Sequence, residues 1–324
     1  MTGRPSRVSS LADWLVLAVG LVCLVAAGAA QAGRLDAQFD LLTHSCPFWL
    51  AGGLLAFVWG LFAASSRLRP ALMAVGAGAL LASGLLMAAE LTRPIRPPVP
   101  PAPGRQIKLI QYNAWERNVS PKADADWLAS QAPDVIVLED AEEPITEALM
   151  AHGYIRAPGI ADLAIFSRTA PIKRQLRIPL ADWRLLPDIA PATFIGPDGA
   201  PFTVIGVHLR RPFEPSQMWG ALTLADLIEH ADRRRMIVAG DFNLTPWSFG
   251  LKRLDRRFEL ERRDRALFSW PSRSIVGSGR PFPFPFLPID HIWAGPQWRT
   301  VKIERGPRLG SDHYPVVVTL ALEE

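Results

Sequence analysis

The sequence predicts a mixed α/β domain carried behind three membrane-crossing helices. Two observations support this. The 324 residues hold their apolar content unevenly, with uncharged runs at 14–33, 41–66 and 70–89. Beyond residue 105 the apolar runs shorten to strand length and alternate with stretches of helical spacing.

The three long runs come first. Each approaches the roughly 20 apolar residues that cross a bilayer core. A helix buried in a soluble core is seldom apolar all round for that length. Spans are therefore expected at about 11–33, 45–66 and 70–89. Arg4 and Arg7 ahead of the first run, and "AQAG" at 30–33, also fit a cleaved signal peptide; the length of the run favours an uncleaved anchor. Either way the segment after Ala89 emerges outside. Arg4, Arg7, Arg67 and Arg69 on one side against Arg34, Arg93 and Arg96 on the other give the same orientation by a narrow margin. The expectation is a multi-pass protein of a bacterial-type inner or plasma membrane, with its soluble domain on the extracytoplasmic, periplasmic side. Small-residue stripes at Gly52, Ala56, Gly60 and at Ala74, Gly78, Ala82 would let helices pack closely, within the chain or by self-association.

Both cysteines, Cys23 and Cys46, lie in or beside these runs, so the soluble part needs no disulfide. Residues 1–103 hold seven basic and four acidic residues. The remainder holds 28 basic and 27 acidic, a net of +1. A strong nucleic-acid binder usually carries a basic footprint, and the overall balance shows none.

Residues 94–104, "PIRPPVPPAPG", contain six prolines and read as an extended, semi-rigid spacer. Residues 105–324 then form one soluble unit without repeats. Strands are expected at 107–112, 134–139, 163–167, 202–209, 235–240, 289–295 and 314–322. Helices are expected at 122–132, behind the Ser120–Pro121 start signal, and at 216–234.

Buried strands repeatedly run into polar residues. Asn113, Glu139, His208, Asp241 and Asn243 stand at or just past strand ends; Asp290 lies in a sixth strand and Asp312–His313 precedes a seventh. One such residue is ordinarily a turn or a cap. The set has the composition needed for phosphate-ester cleavage: carboxylates for a divalent ion, a base for water, and amide or imidazole donors for phosphoryl oxygens.

"QYNAW", "VLE", "GVHL", "GDFN", "IDHIW" and "GSDHYPV" occur in that order across about residues 106–322. Together they resemble the endonuclease/exonuclease/phosphatase superfamily of DNase I-like nucleases, inositol polyphosphate phosphatases and neutral sphingomyelinases. The resemblance implies a four-layer α/β sandwich, two packed sheets flanked by helices, with the site at one end of the sheets. It implies Glu139 as principal ligand of Mg²⁺ or Mn²⁺, with Asn113 beside it and Asp312 at a second metal position. Asp241 would orient or deprotonate the attacking water, with Asn243 holding Asp241 and the phosphate. His208 and His313 would bind phosphate oxygens, with Asp290 orienting His313. The base is either Asp241 or a histidine. Some family nucleases have a metal-binding aspartate where this chain has Trp115, which argues against close similarity to abasic-site repair nucleases.

Arg210 and Arg211, beside His208, are candidate substrate-binding residues, and His291, alternating with Asp290, is expected to be structural. "PFPFPFLP" at 281–288 cannot form a central strand and reads as a rigid apolar lip, against lipid or packed on the domain. The expected activity is hydrolysis of a phosphomonoester or phosphodiester, lipid or small molecule. The alternatives are an extracytoplasmic nuclease acting on nucleic acid, or a non-catalytic binding domain of the same fold.

Overall fold

The computed structural model describes residues 10–65, 67–157, 163–172, 188–214, 216–274 and 279–323. Arg4 and Arg7 of the charge argument lie outside these residues. The chain divides into two units, one of residues 1–93 with Thr245–Lys252, the other of Pro94–Leu244 with Arg253–Glu324.

The first unit is helical. Helix α1 (Leu11–Ala30) is followed by the single turn α2 (Ala37–Asp40), then α3 (Cys46–Phe62) and α4 (Arg69–Leu91). Continuous helical stretches at Leu11–Arg34, Ala37–Phe62 and Arg69–Leu91 are long and apolar enough to cross a membrane. A capping box opens α1: Ser10 Oγ accepts from the Asp13 N–H, and Asp13 accepts from that of Ser10. Asp13 also accepts from Trp59 Nε1 at 2.9 Å and the Ser65 N–H at 3.3 Å, so its buried carboxylate is satisfied. Small residues pack helices within the chain, in the predicted stripes, where a side chain added at Gly60 would strike Met73 of α4, and beside them. A side chain added at Gly76 of α4 would strike the backbone of Phe57 and Gly53 in α3, and one at Gly20 of α1 would strike Ala56. Asp40 accepts from the N–H groups of Phe249 (2.8 Å) and Gly250 (2.7 Å), capping the helix that begins there.

The second unit holds two mixed sheets. Strands β1 (Gln106–Asn113), β2 (Val135–Glu139), β3 (Ile155–Arg156), β4 (Ala164–Ser167), β10 (Trp298–Arg305) and β11 (Val316–Leu322) form one, in the order β10-β11-β1-β2-β4-β3. Strands β5 (Asp188–Ile195), β6 (Pro201–His208), β7 (Met236–Asp241), β8 (Glu261–Arg262) and β9 (Asp290–Ala294) form the other, in the order β5-β6-β7-β9-β8. The two inner faces make the core, with Leu109, Val135 and Val137 meeting Val204, Ile237, Ala239 and Ile292. Strand alternation sends the other set outward: Ile110, Tyr112, Ile136 and Leu138 pack on helices α5 (Pro121–Ser130) and α6 (Glu143–Ala151). Helix α7 (Ser216–Glu229) joins β6 to β7, and α8 (Phe249–Phe258) lays Phe258 edge-on to Trp293 on the outer face of the second sheet. Two mixed sheets flanked by helices are the architecture the sequence predicts.

Besides the short β3, β8 and α2, four elements go beyond the sequence reading. Strand β5 contains Pro191, and it is tolerated because β5 is the edge of its sheet. Strand β10 is also an edge, and its charged outer positions masked it. Helix α6 hid in the acidic run after Glu139, and α8 followed the "GDFN" motif unnoticed. Residues 94–104 run extended along the second unit, with the Val99 N–H donating to Thr300 O and Arg96 paired with Glu261.

Candidate active site

The inner-face alternation that builds the core also builds the site. In β1, Ile107 and Leu109 face the core, and Gln111 and Asn113 continue that row. Val135 and Val137 lead to Glu139, Val204 to His208, and Ile237 and Ala239 to Asp241; Asp290 begins the row of Ile292 and Ala294. Each polar residue occupies the next inward position of a core row. Register brings the strand ends level, with Asn113 opposite Glu139, His208 opposite Asp241, and Asp241 opposite Asp290.

Asp241 sits at the centre and is buried. Its Oδ1 accepts from the Asn243 N–H at 2.8 Å, and its Oδ2 from Asn113 Nδ2 at 3.1 Å. The same Oδ2 is 3.6 Å from His313 Nε2 and 3.9 Å from His208 Nε2. Asn243 adopts φ of 50°, a left-handed conformation asparagine tolerates, which turns its N–H back on Asp241. Its side chain donates to Leu209 O, tying the loop after β7 to the end of β6. Burial and the nearby Asp290 push the Asp241 carboxyl up, the charges of His313 and His208 pull it down, and it comes to rest at about 6.

His313 Nδ1 donates to Asp290 Oδ2 at 2.9 Å. Burial opposes a charge on this imidazole, but Asp290 and Asp241 outweigh it and hold His313 protonated well above the usual histidine range. Burial likewise opposes the charge on Asp290, and the His313 cation with hydrogen bonds from His313 and Gln111 holds it below its usual value. Asp241, Asp290 and His313 lie close enough to share a metal ion. The His313 imidazole lies between the two carboxylates, hydrogen-bonded to Asp290 and 3.6 Å from Asp241.

Glu139 is fully buried. Burial and the charges of Asp290 and Asp241 push its carboxyl well above the normal range. Gln111 Nε2 bridges Glu139 Oε2 (3.0 Å) and Asp290 Oδ1 (2.7 Å). Glu139 Oε1 and Asp312 Oδ1 are buried oxygens without a hydrogen-bond partner among the described residues. Unpaired buried carboxylate oxygens suit a hard divalent cation, so the donor set fits such an ion at Glu139.

Of the sequence-predicted residues, Asn113, Glu139, His208, Asp241, Asn243, Asp290, Asp312 and His313 come together. Asp312 Oδ2 accepts from Trp270 Nε1 at 3.0 Å, which fixes its direction. Arg210 and Arg211 are exposed beyond the end of β6 rather than in the cluster. His291 lies on the opposite face of β9, with Nδ1 2.7 Å from Asp264 and Nε2 2.8 Å from Leu244 O. In the lip, Phe282 packs against Phe284 and Phe286, Phe286 meets Trp270, and Phe284 is exposed.

Three supporting residues escaped the sequence reading. Gln111 was legible as the inward position two before Asn113. Ser311 Oγ donates to Asn113 O at 2.6 Å and accepts from the His313 N–H at 2.9 Å, joining the first and last motifs. Asp124 accepts from Tyr112 Oη and the Gly310 N–H, a link no local pattern announces.

A model described as the Endonuclease/Exonuclease/phosphatase family matches residues 110–313. Among solved structures, an endonuclease/exonuclease/phosphatase from Bacteroides vulgatus is 16% identical with a TM-score of 0.54, over 67% of this chain and 99% of that one. A mannosyl-6-phosphatase of Bacteroides thetaiotaomicron is 17% identical with a TM-score of 0.52, over 67% and 100%. An endonuclease/exonuclease/phosphatase of Beutenbergia cavernae is 19% identical with a TM-score of 0.50, over 67% and 72%. No curated protein matches the chain. At such identities the neighbours speak for the fold; the family match, which covers most of the chain and runs from β1 to His313, speaks for more. The chain belongs to the endonuclease/exonuclease/phosphatase family, whose members are metal-dependent hydrolases of phosphate esters.

Proposed function

We propose that this chain is a membrane-anchored, Mg²⁺-dependent phosphoesterase that directs water onto a lipid or small-molecule phosphate ester. The observation that carries the reading is the position of Asp241, buried between two imidazoles beside the unpaired oxygen of Glu139. Glu139, with Asp312, would hold the cation, which when bound supplies charge neutralisation at the phosphoryl oxygens. Asp241, its carboxylate aimed by Asn113 and the Asn243 N–H, orients the water and takes its proton. His313, charged and held by Asp290, donates from Nε2 to a phosphoryl oxygen, and His208 does so from the other side. Residues 1–93 anchor the protein, and residues 105–324 are the catalytic domain on the extracytoplasmic side.

Membrane anchoring and the near-neutral balance of residues 104–324 favour a lipid or small molecule over nucleic acid. The nuclease reading rests on Arg210 and Arg211 and requires strong salt dependence. The deciding experiment incubates the full chain in detergent with a phosphomonoester, a generic phosphodiester, phospholipid and plasmid DNA, with Mg²⁺ and with chelator. Hydrolysis of an ester other than DNA, lost with chelator and in Asp241→Ala and His313→Ala, is expected. Turnover that survives both substitutions refutes the site, and inertness on every substrate supports the binding-domain alternative.

A further inference from the structure

Among the described residues of the catalytic unit most exposed large apolar side chains stand singly, but four gather within ten residues: Phe213 (67% exposed), Met218 (50%), Trp219 (58%) and Leu222 (43%). Phe213 lies between β6 and α7. The other three are on α7, where spacings of three and four place them on one face. The core of the unit does not account for them, because α7 buries its other face through Leu224, Ala225 and Ile228. Further along, the exposed residues turn polar, with Asp226, Glu229 and His230 in water. The apolar surface is therefore confined to the first half of the helix.

Topology fixes where that half belongs. Strands β6 and β7 are parallel, so α7 leaves the C-terminal end of β6 and returns to the N-terminal end of β7. The C-terminal ends carry His208 and Asp241. The apolar half of α7 thus starts from the catalytic edge of the sheet, and the exposed Arg210 and Arg211 stand between it and His208.

We propose that this face docks the catalytic domain on an anionic bilayer surface. Phe213, Met218, Trp219 and Leu222 enter the acyl boundary, and Arg210 and Arg211 meet lipid phosphates. A bilayer is the partner at hand because the chain carries three candidate spans of its own. A tryptophan beside aliphatic side chains and arginines is also the composition of an interfacial surface. Docking by this face brings headgroup phosphates to the edge that holds Asp241. The inference deepens the lipid-ester reading, but its test measures depth and needs no turnover, so either can fail without the other.

The test uses the full chain in nanodiscs, with Cys23→Ala and Cys46→Ala removing the native thiols. Spin labels are placed through Trp219→Cys, Leu222→Cys and, as a control on the polar half, Asp226→Cys. Collisions with oxygen, which concentrates in lipid, are compared with collisions with an aqueous nickel chelate. All three sites are exposed, and thermal unfolding verifies that each variant folds. In discs containing phosphatidylglycerol, labels at 219 and 222 are expected to favour oxygen and the label at 226 nickel. Arg210→Gln with Arg211→Gln should move the label at 219 toward water, and phosphatidylcholine discs should do the same. Labels at 219 and 222 as open to nickel as that at 226 overturn the proposal. Labels shielded from both reagents also overturn it, because they report a protein partner or a second copy. Immersion indifferent to headgroup charge and to the arginines overturns their assignment to lipid phosphates.

Discussion

At the scale of single residues the site trades stability for chemistry, and Asp241 shows the sign. Its folded carboxyl titrates at about 6, above the ordinary 3.8. A raised carboxyl contributes stability that is fully present below about pH 4 and is lost as pH rises through about 6. At pH 8 in chelator, Asp241→Asn should therefore melt several degrees above the parent, with the gain vanishing toward pH 4. The same variant should lose about 10²–10⁴-fold in turnover, the usual worth of a positioned base. The parent's activity should fall on the acid side with a midpoint near pH 6 in a pH–rate profile. Glu139→Gln should fold, since burial already opposes charge there, and should raise the Mg²⁺ concentration needed for half-maximal activity. At this scale the motif residues were legible because strand alternation and their chemistry agreed. Gln111 follows the same alternation, inward two residues before Asn113. Ser311 and Asp124 act through contacts spanning nearly 200 positions, 198 for Ser311 to Asn113 and 186 for Asp124 to Gly310, which sequence spacing does not reveal.

At the scale of elements, β7 explains a motif letter that chemistry does not. The backbone of Gly240 lies so close to the Val207 carbonyl of β6 that an added Cβ would collide with it. The glycine in "VAGDFN" thus lets two strands approach and levels His208 with Asp241. Gly240→Ala should cost about 3 kcal/mol or more, read as a lower melting temperature or insoluble protein. Central strands were readable because both faces are buried and apolar. Edge strands were not: β5 carries Pro191, and β10 alternates with exposed charge. Helix α8 had a usable signal, with Leu251, Leu254 and Phe258 buried at helical spacing and Arg253 and Arg256 exposed.

At the scale of the molecule, charge separates the substrate classes. Because residues 104–324 carry a net of only +1, hydrolysis of a small neutral-backbone ester should change little between 50 and 200 mM salt. A nuclease of the same chain would lose affinity steeply over that range. The two-sheet fold was legible from the order of short apolar runs. The docking face on α7 was not, because helical spacing alone does not say which of Met218, Trp219, Leu222, Leu224 and Ile228 a neighbouring layer covers.

Strand β11 lies between β10 and β1, and His313 stands three residues ahead of it. Synthesis therefore delivers Asn113, Glu139 and Asp241 well before β11, the strand that completes the sheet of Asn113 and Glu139. A ribosome-bound chain that ends before β11 should hold most of the reactive groups and stay inert, because β1 still lacks its antiparallel neighbour. Termination after Tyr314 should give a chain that neither folds stably nor turns over substrate. Activity should therefore appear only once β11 has been made and has paired with β1.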